Sequence, residues 1–156
     1  MSIINEILSQ SPKIRKEYKE NIIEKLSRKQ AEEGGDRKFF NQYWQPFAWA
    51  AFIGFKNDRP VPITDKFDSD VFKYSVINNQ APDILKSLIV MAIGKLEDEI
   101  ENHNDFLKDT SAILKIIDEY ANGGFEIINR KLNKNVDYFY EHNVFIEDLL
   151  NEQDII

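Results

Sequence analysis

The stretch from Gln45 to Phe55, QPFAWAAFIGF, constrains the fold more than any other part of the chain. It is the most apolar run in the sequence, and Phe39, Phe40, Tyr43 and Trp44 lead into it. A membrane-spanning helix needs roughly 20 such residues, so this shorter run belongs in a globular core. Phe47, Ala50, Ala51 and Gly54 recur at near-helical spacing and give the helix a small-residue face. That face lets a neighbouring helix approach closely, while Trp49, Phe52, Ile53 and Phe55 fill the space around it. The expectation is a central buried helix, with Trp49 in the core and Gly54 at a helix contact.

The rest of the chain reads as helices packed on that one. At 156 residues, with 42% hydrophobic and 12% aromatic, it can bury a core and is too apolar for a disordered chain. Ile3, Ile4, Ile7 and Leu8 begin a short amphipathic helix. Ser11 and Pro12 then restart the pattern, since serine caps a helix and proline suits its first turn. Ile14, Tyr18, Ile22 and Leu26 recur every four residues, with Ile23 beside them, and predict a helix to about Glu33 that stops at Gly34 and Gly35. Asp36 can cap a segment carrying Phe39 to Trp44, and Pro46 either kinks it or opens the central helix.

Beyond Phe55, residues 56–62 read as a turn and an extended piece, because the residue before a proline avoids helical angles. Residues 63–69 read as irregular. Asp70 to Ile77 is a strand or a helical turn, with helix preferred, and Asn78 to Gln80 a loop. Ala81-Pro82-Asp83 opens a helix through Leu85, Leu88, Ala92 and Leu96, and Val90 and Met91 make it apolar almost all round. A helix from about Thr110 runs through Ile113, Ile117 and Tyr120 until Asn122-Gly123-Gly124 interrupts it, and the period resumes at Phe125. The glycine pair marks a kink, a tight turn or a close helix crossing. Glycine weakens a helix by roughly 1 kcal/mol against alanine, so close packing of Gly123 and Gly124 against the small face of the Phe47–Phe55 helix is the expected cause. The expected fold is all-α, a single compact helical domain of six or seven helices. It comprises a basic N-terminal helical segment (1–34), a core (36–132) and an acidic C-terminal helix (137–150).

Charge is unevenly placed. The net charge is −7, yet Ser11 to Gln30 carries seven basic residues against three acids, whereas Glu97 to Ile156 carries fifteen acids against five bases. Lys13, Arg15, Lys16, Lys19 and Arg28 are therefore candidate contacts for DNA or a protein partner, the alternative being a solvated helix face. Arg59 is a further candidate contact, held between the central helix and Pro60; its other reading is a cation capping that helix's last carbonyls.

Catalytic chemistry has no visible carrier. With no cysteine, disulfides, thiolate metal sites and a cysteine nucleophile are excluded. His103 and His142 are the only histidines. Glu99 and His103 share a helical spacing, but no third metal ligand follows. No phosphate-cradling or nucleophile-elbow motif occurs. Asp118 and Glu119 are adjacent on a helix, point to different faces and form no working pair. No cofactor is implied, and neither a secretory signal nor a membrane span is present, so the cytoplasm is the expected location.

Three segments together carry a resemblance: FAWAAFIGFKNDRPVP (Phe47 to Pro62), the block from Val71-Phe72 to Ile93, and IDEYANGGFEIINRKL (Ile117 to Leu132). Their order resembles a family of small bacterial proteins encoded beside DNA phosphorothioation (Dnd, DNA sulfur modification) genes. The string from Glu119 through Tyr120 to Gly124 is the most specific part. The resemblance implies a non-enzymatic accessory of a DNA modification or phage-defence system, working through contacts with its other proteins. Weak DNA binding by the basic N-terminal segment, or an unrecognised enzyme, are the alternatives.

Overall fold

The computed structural model describes residues 3–28, 39–64, 66–99 and 109–138. Six helices and one two-stranded ladder account for most of them, so the fold is helical as the sequence predicts. The end of the N-terminal helix at Gly34-Gly35, the cap at Asp36, both histidines and nearly all of the predicted C-terminal helix lie outside the described residues.

Helix α1 (Ile3–Leu8) leads to strand β1 (Ile14–Arg15), which pairs antiparallel with β2 (Phe67–Asp68). The predicted helix from Pro12 therefore starts later. Ile14 and Arg15 are extended because their hydrogen bonds go elsewhere: to β2, and from the Arg15 N–H to Asn122 Oδ1 at 3.0 Å. A helical run over residues 16–26, α2, follows. Its centre, Lys19–Ile23, is a π-helical turn, and the adjacent Ile22 and Ile23 are both buried there. The run ends at Leu26 rather than near Glu33, because Ser27 turns extended and bridges to Phe40.

Residues 39–43 are bends and turns rather than helix. Gln45 Oε1 accepts the N–H groups of Asn41 and Gln42 (2.8 and 3.2 Å), filling the role of a cap just ahead of α3 (Trp44–Lys56). Pro46 stands in that first turn, where its missing N–H leaves no partner unmet. At the other end Asp58 takes a positive φ of 48°, and the Arg59 N–H closes on the Gly54 carbonyl at 3.0 Å. The chain then runs extended beside the last long helix, with the Val61 N–H on the Glu119 carbonyl.

Helix α4 (Tyr74–Gln80) absorbs Asn78 to Gln80, which the sequence reads as a loop, and α5 (Pro82–Glu99) follows. Leu85, Leu88, Ala92 and Leu96 of α5 face the core, but Val90 is 66% exposed. This helix therefore buries one stripe and is not enclosed. Helix α6 (Thr110–Lys134) is capped by Asp109, whose side chain accepts the Ala112 N–H at 3.1 Å. It passes without a break through Asn122-Gly123-Gly124, so the predicted interruption is absent.

The most extensive packing in the fold is α3 on α6. A β-carbon at Gly124 would stand 2.8 Å from Ala50 Cα and nearer still to the Ala50 carbonyl oxygen; one at Gly54 would meet the Tyr120 carbonyl carbon at 2.7 Å. The two backbones are in contact at this crossing. Gly123 lies under the Arg59 carbonyl, the segment that leaves α3. The small face of α3 is thus wholly used. Its opposite side is only half covered, which leaves Trp49 partly buried rather than in the core as predicted.

Candidate interaction surface

The two long segments quoted for the family resemblance meet each other in space. Phe55 stacks on Tyr120 with ring centroids 4.4 Å apart. The Tyr120 hydroxyl donates to Asp58 Oδ1 (2.8 Å), and Lys95 Nζ donates to the same oxygen at 2.8 Å. The Lys95 hydrogen bond, then that of Tyr120, holds the Asp58 carboxyl below its usual range. Tyr120 is itself pushed up, by burial first and then by Asp58.

Arg59 is part of the same weld. Its Nε and Nη2 both donate to Glu126 Oε1, which also takes Arg130 Nη2 at 2.7 Å. Its guanidinium therefore does not cap the end of α3; the Arg59 backbone N–H does that. These motif residues join residues 54–62 to α6.

The basic N-terminal candidates are spread over several roles. Lys19 Nζ is paired with Asp68 at 2.9 Å, and Arg15 Nη1 lies 3.7 Å from Glu17. Lys13 Nζ sits 5.4 Å above the Phe67 ring, a cation–π distance. Lys16 and Arg28 are exposed. Lys13, Arg15 and Lys19 all lie beside β2, at Phe67 and Asp68.

The sequence reading missed two features. One is a polar junction inside the fold. Asn122, fully buried, donates through Nδ2 to the Lys13 carbonyl (2.9 Å) and to the Asp118 carbonyl (2.7 Å), and accepts from Arg15. Asp118 beside it is also buried, and Tyr74 donates to its Oδ1 at 3.0 Å. Burial dominates the Asp118 carboxyl and pushes it up to about 8, against the lowering effect of its hydrogen bonds.

The other is an open groove of about 550 Å³ on the outer side of α3. Phe39, Trp44, Ala48, Trp49 and Phe52 line it, with Ile84 of α5. Phe39 is 36% exposed, and Trp49 and Phe52 are half-buried. Aromatic side chains with one face in water are what a protein contact buries.

A small helical protein with an open aromatic groove on one side of its central helix is thus the class that fold and surface define. Residues 13–154 match the family described as DNA sulphur modification system-associated protein 4, and the chain belongs to that family. The expected link to the Dnd system is thereby borne out. No curated protein and no solved structure matches the chain. Among the described residues, no helix is long and apolar enough to cross a membrane.

Proposed function

We propose that this protein is a non-enzymatic accessory of its DNA sulphur modification system that docks another protein of that system through the aromatic groove. The partly buried Trp49 and Phe52 on the outer side of α3, which line the groove, carry the reading. The groove runs along α3, with residues 39–41 and Ile84 as its other walls, and its occupant is the apolar stripe of an amphipathic helix on the partner, seated on the aromatic rings. The residues of the family motif support this indirectly, since they hold α3 rigid from behind and leave its front for the contact.

The test is co-expression with the other proteins of the modification system, followed by affinity purification. Trp49→Glu and Phe52→Glu should each weaken the complex at least tenfold, since a buried aromatic anchor is often worth 2 kcal/mol or more to an interface. Both variants should remain folded, with melting temperatures lowered by no more than about 10 °C. A complex that survives both substitutions places the contact elsewhere. Because Trp49 is only partly buried, Trp49→Ala should lower stability by about 1–2 kcal/mol, well under the cost of emptying a core tryptophan site.

A direct role on DNA has less support. Three of the five N-terminal cations already face an acid or an aromatic ring, which leaves few for phosphate. Duplex binding should be weak, with a shallow salt slope of about one per phosphate contacted, and absent at roughly 0.2 M salt. Fluorescence anisotropy across a salt series measures this. Tight binding that persists at high salt would replace the accessory reading with a nucleic-acid one.

A further inference from the structure

Both tryptophans of the chain, Trp44 and Trp49, line the aromatic groove, and none of the residues lining it is charged. A cation stands near each end instead. Arg28 is exposed, and its backbone N–H donates to the Phe40 carbonyl at 3.1 Å. Lys56 is exposed one turn beyond Phe52. An occupant that fits has an apolar stripe to lie on the rings and acids to meet the cations at the rim.

Residues 139–156 of this chain have that composition. They hold five acids, Glu141, Glu147, Asp148, Glu152 and Asp154, and neither lysine nor arginine. Phe145, Ile146, Leu149 and Leu150 recur at i, i+1, i+4 and i+5, the spacing of one side of a helix, with Glu147 and Asp148 on the other.

The path of the chain delivers this segment to the groove. Gly54 lies against Tyr120 and Ala50 against Gly124, so α3 and α6 run antiparallel. The end of α6 therefore stands beside the start of α3, where Trp44 opens the groove. After Lys134 the chain turns sharply. Asn135 accepts the N–H groups of Asp137 and Tyr138, both at 3.1 Å, and Tyr138 is back in the core. Beyond it, residues 139–144 can reach up to roughly 20 Å if extended. As a helix, Phe145 to Glu152 would then cover roughly 12 Å, about the length of α3 between Trp44 and Phe52.

We propose that residues 139–156 fold back as an amphipathic helix and occupy the aromatic groove in the free protein, so that a partner's helix has to displace them. This autoinhibition presupposes that the groove docks a partner, and adds its regulation. A tethered segment is present at an effective concentration in the millimolar range, on the order of what a weak helix–groove contact needs to stay mostly closed.

The chain has no cysteine, so Asn151→Cys in the full-length protein carries a nitroxide spin label at one position. The label should broaden the indole N–H resonances of Trp44 and Trp49. Adding Phe145→Glu and Leu149→Glu should sharpen them again. In a mixture of spin-labelled chains with unlabelled, isotope-enriched ones, the indole resonances should stay sharp. Sharp indoles in the singly substituted labelled chain, or broadening that survives the two glutamates, would overturn the proposal. So would broadening in the mixture, which makes a second copy the occupant. In the co-expression purification, Phe145→Glu with Leu149→Glu should hold the partner about tenfold more tightly, as for a groove open about one-tenth of the time in the parent. That effect is opposite in sign to Trp49→Glu, and an unchanged or weaker complex would overturn the autoinhibition. The spin-label measurement needs no partner. It therefore separates failure of the folded-back contact from failure of the docking role, which a complex indifferent to Trp49→Glu would reveal.

Discussion

Replacing Gly124 by alanine should destabilise the protein by about 3 kcal/mol or more, measured as the loss of unfolding free energy in a denaturant melt. The added methyl group would enter the Ala50 backbone, and neither helix can yield without separating the crossing on which the fold is built. Gly94 provides the contrast. It lies in the middle of α5, and a β-carbon there would meet nothing within 4 Å. Gly94→Ala should therefore stabilise by about 0.4–1 kcal/mol, through the lower entropy of the unfolded chain. Opposite signs for the same chemical change would separate close packing from intrinsic helix propensity. Two stabilised variants would show that the α3–α6 crossing is looser than described.

This crossing was legible because both partners advertise it. Ala50, Ala51 and Gly54 place small residues on one side of α3, and the glycine pair interrupts an otherwise apolar period in α6. The groove was less legible, although a signal exists. Gln45 and Lys56 fall on the same helical face as Trp49 and Phe52, and two polar residues bracketing two aromatics mark a side that meets water. Reading the run only as the most apolar in the chain put all its aromatics in the core.

Other misses came from tertiary hydrogen bonding, which periodicity cannot see. Ile14 belongs to the buried stripe with Tyr18, Ile22 and Leu26, and all four are indeed buried. Its backbone is nevertheless extended, because residues 67, 68 and 122 supply its segment's partners from far along the chain. The end of α2 at Leu26 has the same origin, since Phe40 takes the hydrogen bonds that a longer helix would have made internally. Asp118 was weighed only as a possible partner of Glu119, and its burial was not drawn from the pattern. Its spacing carries that signal: Leu114, Ala121 and Phe125 stand four before, three after and seven after it, and all are buried.

That buried acid gives the second large effect. In the unfolded chain an aspartate loses its proton near pH 4, whereas folding holds the Asp118 carboxyl up at about 8. Between these values the folded protein carries a proton that the unfolded chain has released. Raising the pH through this window therefore draws the equilibrium towards the unfolded chain, by about 1.4 kcal/mol per pH unit from this one group. Below pH 4 both states are protonated, and above 8 both are ionised, so the contribution is flat on either side. Asp118→Asn removes the ionisation while its amide can keep the hydrogen bond from Tyr74. Paired urea melts at pH 5.5 and pH 8 should show the parent losing about 3 kcal/mol more than the variant between the two conditions. The variant should also be the more stable of the pair at pH 8, where the parent has spent its advantage as an acid. Parallel losses in the two proteins would mean that Asp118 is already ionised in the fold, with a counter-charge or water beside it.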